Sequence, residues 1–294
     1  MIIDAHQHVW DLARASHPWL GPELPLWNRT FTFEELRPHL HRHGVTATVM
    51  VQSADNAEDT ELMRSVADEH VEVVGIVGYV PLDRPDEVGA QLARWQGDTR
   101  MVGVRNLIHT MPDPDWILLP EVSESLGLLE AAGLAFDYVA VLARHLEHVP
   151  VLAERHPGLR VVIDHLSKPP IGRPDAEPWW TQIAAAAENP LVHGKLSGLY
   201  PEGDPARWMP DTIRPFVERA LEVFGPDRLM YGGDWPISLA AGGYDRVFVG
   251  LMAVLAPLDD PDRDQVLAGT VQRFYRLDER LVAAAVDAEA ARGR

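Results

Sequence analysis

The chain has 294 residues, of which 46% are hydrophobic and 24% charged, a balance that lets it bury a large core. Its 44 acidic residues outnumber 26 basic ones, and the net charge of -18 repels phosphate backbones and anionic headgroups, which excludes nucleic acid and membrane partners. The absence of cysteine removes disulfides, thiolate metal sites and a cysteine nucleophile, so any metal must be held by His, Asp or Glu.

Met1 leads straight into Ile2-Ile3 with no basic region and long apolar stretch behind it, so a cytoplasmic location is expected. No apolar run approaches the ~20 residues needed to span a bilayer. Eight short runs rich in Val and Ile follow one another along the chain: Ile2 to Ala5, Ala47 to Gln52, Val73 to Val80, Val102 to Ile108, Leu134 to Ala140, Arg160 to Asp164, Val192 to Leu196 and Arg228 to Gly232. Longer amphipathic segments separate them. Thr32-x-x-Glu35 reads as a capping box, Pro85 as a first helical turn ahead of Val88, Leu92 and Trp95, and Asp264 to Tyr275 as a further helix. This alternation predicts eight parallel strands closed into a (β/α)8 TIM barrel, a single domain over residues 1–294 with a terminal helix at about 278–291. Pro-rich stretches at Trp10 to Phe31, His109 to Pro120, Ser167 to Trp180 and Leu199 to Thr212 begin past the carboxyl ends of strands, where barrel enzymes carry their active sites. They read as substrate loops.

The polar residues at those strand ends carry the chemistry. His6 and His8 lie two apart after the first strand, so extended geometry puts both side chains on one face, within reach of one ion. The eighth run leads into Gly232-Gly233-Asp234-Trp235-Pro236, and barrel closure brings Asp234 beside the first strand. There it can ligate a cation, act as general base toward a water, do both, or cap the following turn. His165 can complete the ligand set or hydrogen-bond a reacting carbonyl, and Lys168 can hold a substrate oxygen as a point charge or stand solvated. Arg105 suits a substrate carboxylate or hydroxyl, or a structural ion pair. Lys195, if inward, places a cation at the barrel mouth or pairs with a neighbouring acid. Trp19 and Trp235 can stack on a sugar ring or wall the pocket. Gln52, Asp137 and His109 occupy similar strand ends with weaker claims.

Four blocks in order, Asp4-Ala5-His6-Gln7-His8-Val9-Trp10, Asp164-His165-Leu166-Ser167-Lys168-Pro169, Lys195-Leu196-Ser197-Gly198-Leu199 and Gly233-Asp234-Trp235-Pro236, resemble the amidohydrolase superfamily, specifically its amidohydrolase-2 branch of sugar lactonases of the L-fuconolactonase and L-rhamnonolactonase type. The resemblance implies a (β/α)8 barrel that opens a sugar aldonolactone to its aldonic acid. It implies a metal at His6, His8 and Asp234, with His165 as a further ligand, and Asp234 and His165 as catalytic residues. Arg105, Lys168, Lys195, Trp19 and Trp235 would meet the substrate. Two departures matter: there is no lysine bridge of the binuclear type, and the segment near the C-terminus reads Gly269-Thr270-Val271-Gln272-Arg273. Both favour one divalent metal, zinc first, or none. The second reading is a metal-dependent decarboxylase of an aromatic or muconate-type acid on the same barrel. A Ser-His-Asp hydrolase has no Gly-x-Ser-x-Gly elbow to support it. A small-molecule substrate is the expected partner, and a homo-oligomer is compatible with the sequence.

Overall fold

Each apolar run becomes a strand, and each strand is followed by a helix. In the computed structural model, which describes residues 1–201 and 204–292, the strands are β1 (Ile2–Gln7), β2 (Val45–Val51), β3 (Val73–Gly78), β4 (Met101–Asn106), β5 (Ala135–Tyr138), β6 (Val161–Ile163), β7 (Val192–Leu196) and β8 (Leu229–Tyr231). Glu202 and Gly203, inside the expected Leu199-to-Thr212 loop, lie outside the described residues. All neighbours pair in parallel and in sequence order, β1 through β8. The ring is closed by the segment after β8, where Asp234 N donates to His6 O and His8 N donates to Trp235 O, both at 2.7 Å. The eight-stranded barrel expected from the alternation is therefore the fold.

The helices that follow the strands are α1 (Phe33–Arg42), α2 (Ala57–Glu69), α3 (Pro85–Trp95), α4 (Pro120–Ala132), α5 (Ala143–Arg155), α6 (Trp179–Ala187), α7 (Pro210–Phe224) and α8 (Tyr244–Leu255). Thr32 caps α1, its backbone N–H reaching the Glu35 carboxylate, and Pro85 opens α3 where a missing N–H costs nothing. Their apolar faces bury against the outward side chains of the strands, including Met50, Ile76, Phe136, Ile163 and Tyr231. A second core fills the barrel. It joins Ile3, Ala5, Val49, Val162 and Met230 to Val271, Phe274, Tyr275, Leu277 and Val282 of the C-terminal segment. That segment lies at the amino ends of the strands, since Arg160, just ahead of β6, hydrogen-bonds Phe274 O and Thr270 Oγ1 donates to Pro226 O, ahead of β8.

The helix expected over Asp264 to Tyr275 differs. It breaks into α9 (Asp260–Asp264), a π turn at Gln265–Gly269 and α10 (Thr270–Tyr275). Across the wider turn Val266, Leu267, Ala268 and Val271 are all buried. The terminal helix α11 (Glu279–Arg292) stands where the sequence places it.

Candidate active site

β1 sets the geometry. Its register shifts between Asp4 and Gln7, so Asp4 turns outward while His6 turns into the barrel. Asp4 accepts hydrogen bonds from the backbone N–H groups of His6 and Gly233 and from Tyr244 Oη, tying β1 to the turn after β8 and to α8. Burial pushes its carboxyl up to about 6, against those three donors.

His6, His8 and Asp234 meet at the carboxyl end of the barrel. His6 Nε2 stands 3.2 Å from His8 Nε2, and Asp234 Oδ1 stands 3.8 Å from the first and 3.7 Å from the second. Donors on a tetrahedral ion with arms of about 2.0–2.2 Å lie about 3.3–3.6 Å apart, so the three atoms have the spacing of one face of such a site. His8 Nδ1 donates to Val51 O at 2.7 Å, which leaves Nε2 with its lone pair free, the tautomer a metal ligand requires. His6 Nδ1 is 3.4 Å from Asp164 Oδ1. Asp234 Oδ2 is buried without a hydrogen-bond partner among the described residues. The three donors match a divalent cation in type and spacing, while His6 also meets protein cations, Arg105 Nη1 at 3.1 Å from Nε2 and Lys195 Nζ at 3.1 Å from Nδ1.

Burial opposes the charge on Asp234, yet His165, the His8 hydrogen bond and Lys168 outweigh it and hold the carboxyl well below the usual range. His165 is pushed down to about 3 by burial and by Lys168, so it works as a neutral imidazole, with Nδ1 2.9 Å from Ser197 Oγ. Burial likewise lowers Lys168, whose Nζ donates to Gly198 O at 3.1 Å. Asp234, His165 and Lys168 all have left-handed backbones, φ 51°, 56° and 49°, and Leu166 and Ser167 continue that turn at 50° and 60°. A run of four such residues is costly for L-amino acids; here it turns His165 and Lys168 together toward one cavity.

That cavity, of about 210 Å³, is lined by Asp234, His8, His165, Lys168, Arg105 and Trp19, with an apolar wall of Leu107, Val139, Val141 and Ile237. Two residues expected to touch substrate are elsewhere. Lys195 has 0% exposure and sits beneath His6, paired with Asp137 and Asp164, because β7 carries it one layer down the barrel from the mouth. Trp235 is 3% exposed and packs edge-on against Phe31, so it braces the turn instead of facing the cavity. His109, a weaker candidate, lines the cavity with its side chain exposed, and the nearby Arg105 disfavours its charged form. The sequence reading gave no role to Asp164. Lys195, His6 and Arg105 overcome its burial and hold it well below the usual range, and its place one residue before His165 was the available signal. Ser53, for which the sequence offers no evident base and hence no role, lies on the cavity wall. His17 Nε2 lies 3.0 Å from Ser53 Oγ and 3.3 Å from Asp59 Oδ1, while Ser53 O accepts from Trp19 Nε1, so this cluster holds Trp19 in place.

Residues 3–277 match the model of the family Amidohydro_2, described as amidohydrolase. The chain belongs to the amidohydrolase family. A relative from Burkholderia ambifaria named L-fucono-1,5-lactonase is 38% identical over 282 residues, 94% of this chain and 96% of that one. An amidohydrolase from Burkholderia multivorans, solved with bound zinc, is 29% identical with a TM-score of 0.87, covering 95% of this chain and all of its own. The 5-carboxyvanillate decarboxylase of Sphingomonas paucimobilis, at 14% identity and TM-score 0.63 over 94% of this chain and 99% of its own, shares the fold alone. This amidohydrolase is an enzyme, and among its described residues no helix is long and apolar enough to cross a membrane.

Proposed function

We propose that this amidohydrolase opens a sugar 1,5-lactone to the aldonic acid, with L-fucono-1,5-lactone the first substrate to test, and that His6, His8 and Asp234 hold one divalent ion, zinc first. The observation that carries the reading is the buried Asp234 carboxylate, with Oδ1 on the histidine pair and Oδ2 unpartnered at the cavity. The lactonase relative supports the substrate class, and the zinc-bound neighbour supports the metal. A cavity of about 210 Å³ suits a single sugar ring, being smaller than the roughly 300–1,000 Å³ typical of drug-sized ligand sites.

A divalent ion held by His6, His8 and Asp234 would supply Lewis-acid polarisation of the lactone carbonyl and would make a nearby water more acidic. Asp234 Oδ2 takes the proton as the water oxygen bonds to the carbonyl carbon. Arg105 and Lys168, on the cavity wall, meet the negative charge that grows on the carbonyl oxygen. The ring C–O bond then breaks and Asp234 returns the proton to the departing ring oxygen, which becomes the free hydroxyl. His165, neutral and held by Ser197, orients the substrate without adding charge.

A panel of aldonolactones followed with a pH indicator, before and after chelation, tests the reading. Asp234→Asn is expected to lower kcat by about 10²–10⁴. Acid release at the original rate and pH profile in that variant sinks the mechanism. Carbon dioxide release from aromatic acids, with every lactone inert, sinks the lactonase reading in favour of decarboxylation.

A further inference from the structure

Ser53, just past β2, puts a buried hydroxyl on the cavity wall, and the chemistry above leaves it without a part. Its Oγ has two protein partners, His17 Nε2 at 3.0 Å and Asp59 Oδ1 at 3.3 Å. The other ring nitrogen of His17, Nδ1, faces Ala15 O at 3.1 Å. A carbonyl only accepts, so Nδ1 carries the proton. When the ring is neutral, Nε2 has a lone pair and takes the Ser53 proton. When the ring is charged, Nε2 donates to Ser53 Oγ and the Ser53 proton turns to Asp59. In both states the proton points into the protein and at least one lone pair remains, so the hydroxyl offers the cavity an acceptor. Asp59 locks the segment in place, its Oδ2 accepting from the backbone N–H groups of Ser53 at 2.8 Å and Ala54 at 3.3 Å.

We propose that Ser53 reads a ring hydroxyl of the substrate, accepting its proton in a hydrogen bond, and that His17 and Asp59 are positioning residues that keep Ser53 an acceptor; this rests on the sugar-lactone reading above. Trp19 Nε1 donates to Ser53 O at 2.8 Å, so the indole on the cavity wall is pinned to the same residue. A sugar ring laid on that indole brings its hydroxyls to Ser53. The cations of the wall, Arg105 and Lys168, are donors only; they suit a carbonyl oxygen and leave a hydroxyl proton without an acceptor. Ser53 also stands across the mouth from Lys168, because β2 and β6 are four strands apart in a ring of eight. A lactone held at its carbonyl on one side therefore meets an acceptor on the other. Thr110, also a hydroxyl on the wall, is exposed, where water replaces it at little cost.

The test crosses Ser53→Ala with analogues of L-fucono-1,5-lactone that lack one ring hydroxyl each, with cooperative melting as the check on folding. In the wild type, one of these deoxygenations should lower kcat/KM by about 10-fold. Ser53→Ala should lower kcat/KM for the intact lactone by a similar factor, and the two changes together should cost no more than either alone. Unsubstituted δ-valerolactone should be opened equally by both proteins. Losses that multiply for every hydroxyl overturn the inference, as does full activity of Ser53→Ala on the intact lactone. An equal loss on δ-valerolactone also overturns it, since Ser53 would then act in the chemistry itself. Should Ser53→Ala fail to fold, Ser53→Cys keeps the volume with a weaker acceptor and carries the same comparison. A wild type that opens no lactone refutes the lactonase reading; the inert 1,5-lactam analogue, titrated by calorimetry into wild type and variant, then decides the Ser53 contact separately. Binding about 10-fold weaker in the variant upholds the contact, and equal binding, or none to either protein, refutes it.

Discussion

A Cβ atom built on Gly198 would stand 2.4 Å from His165 Nδ1 and 2.8 Å from Asp234 Oδ2, and the residue's φ of 56° lies in the region that side chains disfavour. Its backbone carbonyl also accepts from Lys168. The missing side chain is therefore what allows three polar groups to converge beside one peptide unit. Gly198→Ala should drive His165 and Asp234 apart. The expected outcome is a loss of at least ~100-fold in kcat/KM, of the size that small misplacements at reacting centres produce. Lactone assays beside a melting curve would check it; full activity would show that the close approach is incidental. The same reasoning separates what each residue's neighbours could reveal in advance. His6, His8 and Asp234 were legible because strand ends announce them. Lys195 was not, because alternation says which side of a strand faces inward but not how deep along the barrel axis a side chain stands.

Among the elements, the left-handed turn from His165 to Lys168 contains a residue whose own side chain does not help to hold it there. Ser167 has φ 60°, is buried, and its hydroxyl has no hydrogen-bond partner among the described residues. Ser167→Gly should relieve the backbone and raise stability by about 1 kcal/mol, after allowing for the extra freedom glycine gains when unfolded. Denaturant titration would measure it, and a loss of stability would show that Ser167 has a packing role. This turn marks a limit of sequence reading. The run Val161-Val162-Ile163 forecasts a strand, but four consecutive non-glycine residues with positive φ contradict local preference, and tertiary contacts such as Trp179 Nε1 to Leu166 O impose them. The π turn at Gln265–Gly269 escaped for the same reason: helical periodicity predicts a helix, while the barrel end dictates which residues must be buried. Apolar runs, in contrast, gave all eight strands to within a few residues, because a parallel sheet buried on both faces writes itself directly as Val and Ile.

At the scale of the whole molecule, stability should depend on pH through histidines buried as neutral rings. His193, on β7 and away from the cavity, is lowered to about 4 by burial and by Arg228, with its ring packed on Phe274. Its ordinary value is 6.5, so between about 6.5 and 4 the unfolded chain binds a proton that the folded chain refuses. This contribution is complete above pH 6.5 and is lost as pH falls toward 4. His193→Gln should flatten the acid side of the stability curve by about 1 kcal/mol per pH unit, slightly under the one-proton limit because the ring is partly solvated. Identical curves for the two proteins would refute the assignment. Asp4, raised to about 6, works in the opposite sense and gives the variant comparison its value over the wild-type curve alone.

The inner core has a consequence for how the protein is made. Val271, Phe274, Tyr275, Leu277 and Val282 complete a cluster whose earliest members are Ile3 and Ala5. A ribosome delivers Ile3 and Ala5 long before Val271, Phe274, Tyr275, Leu277 and Val282, so the first strand waits for its packing partners until that later segment has emerged. The floor of the barrel is laid by that later segment, while the ring itself closes where the turn after β8 meets His6 and His8.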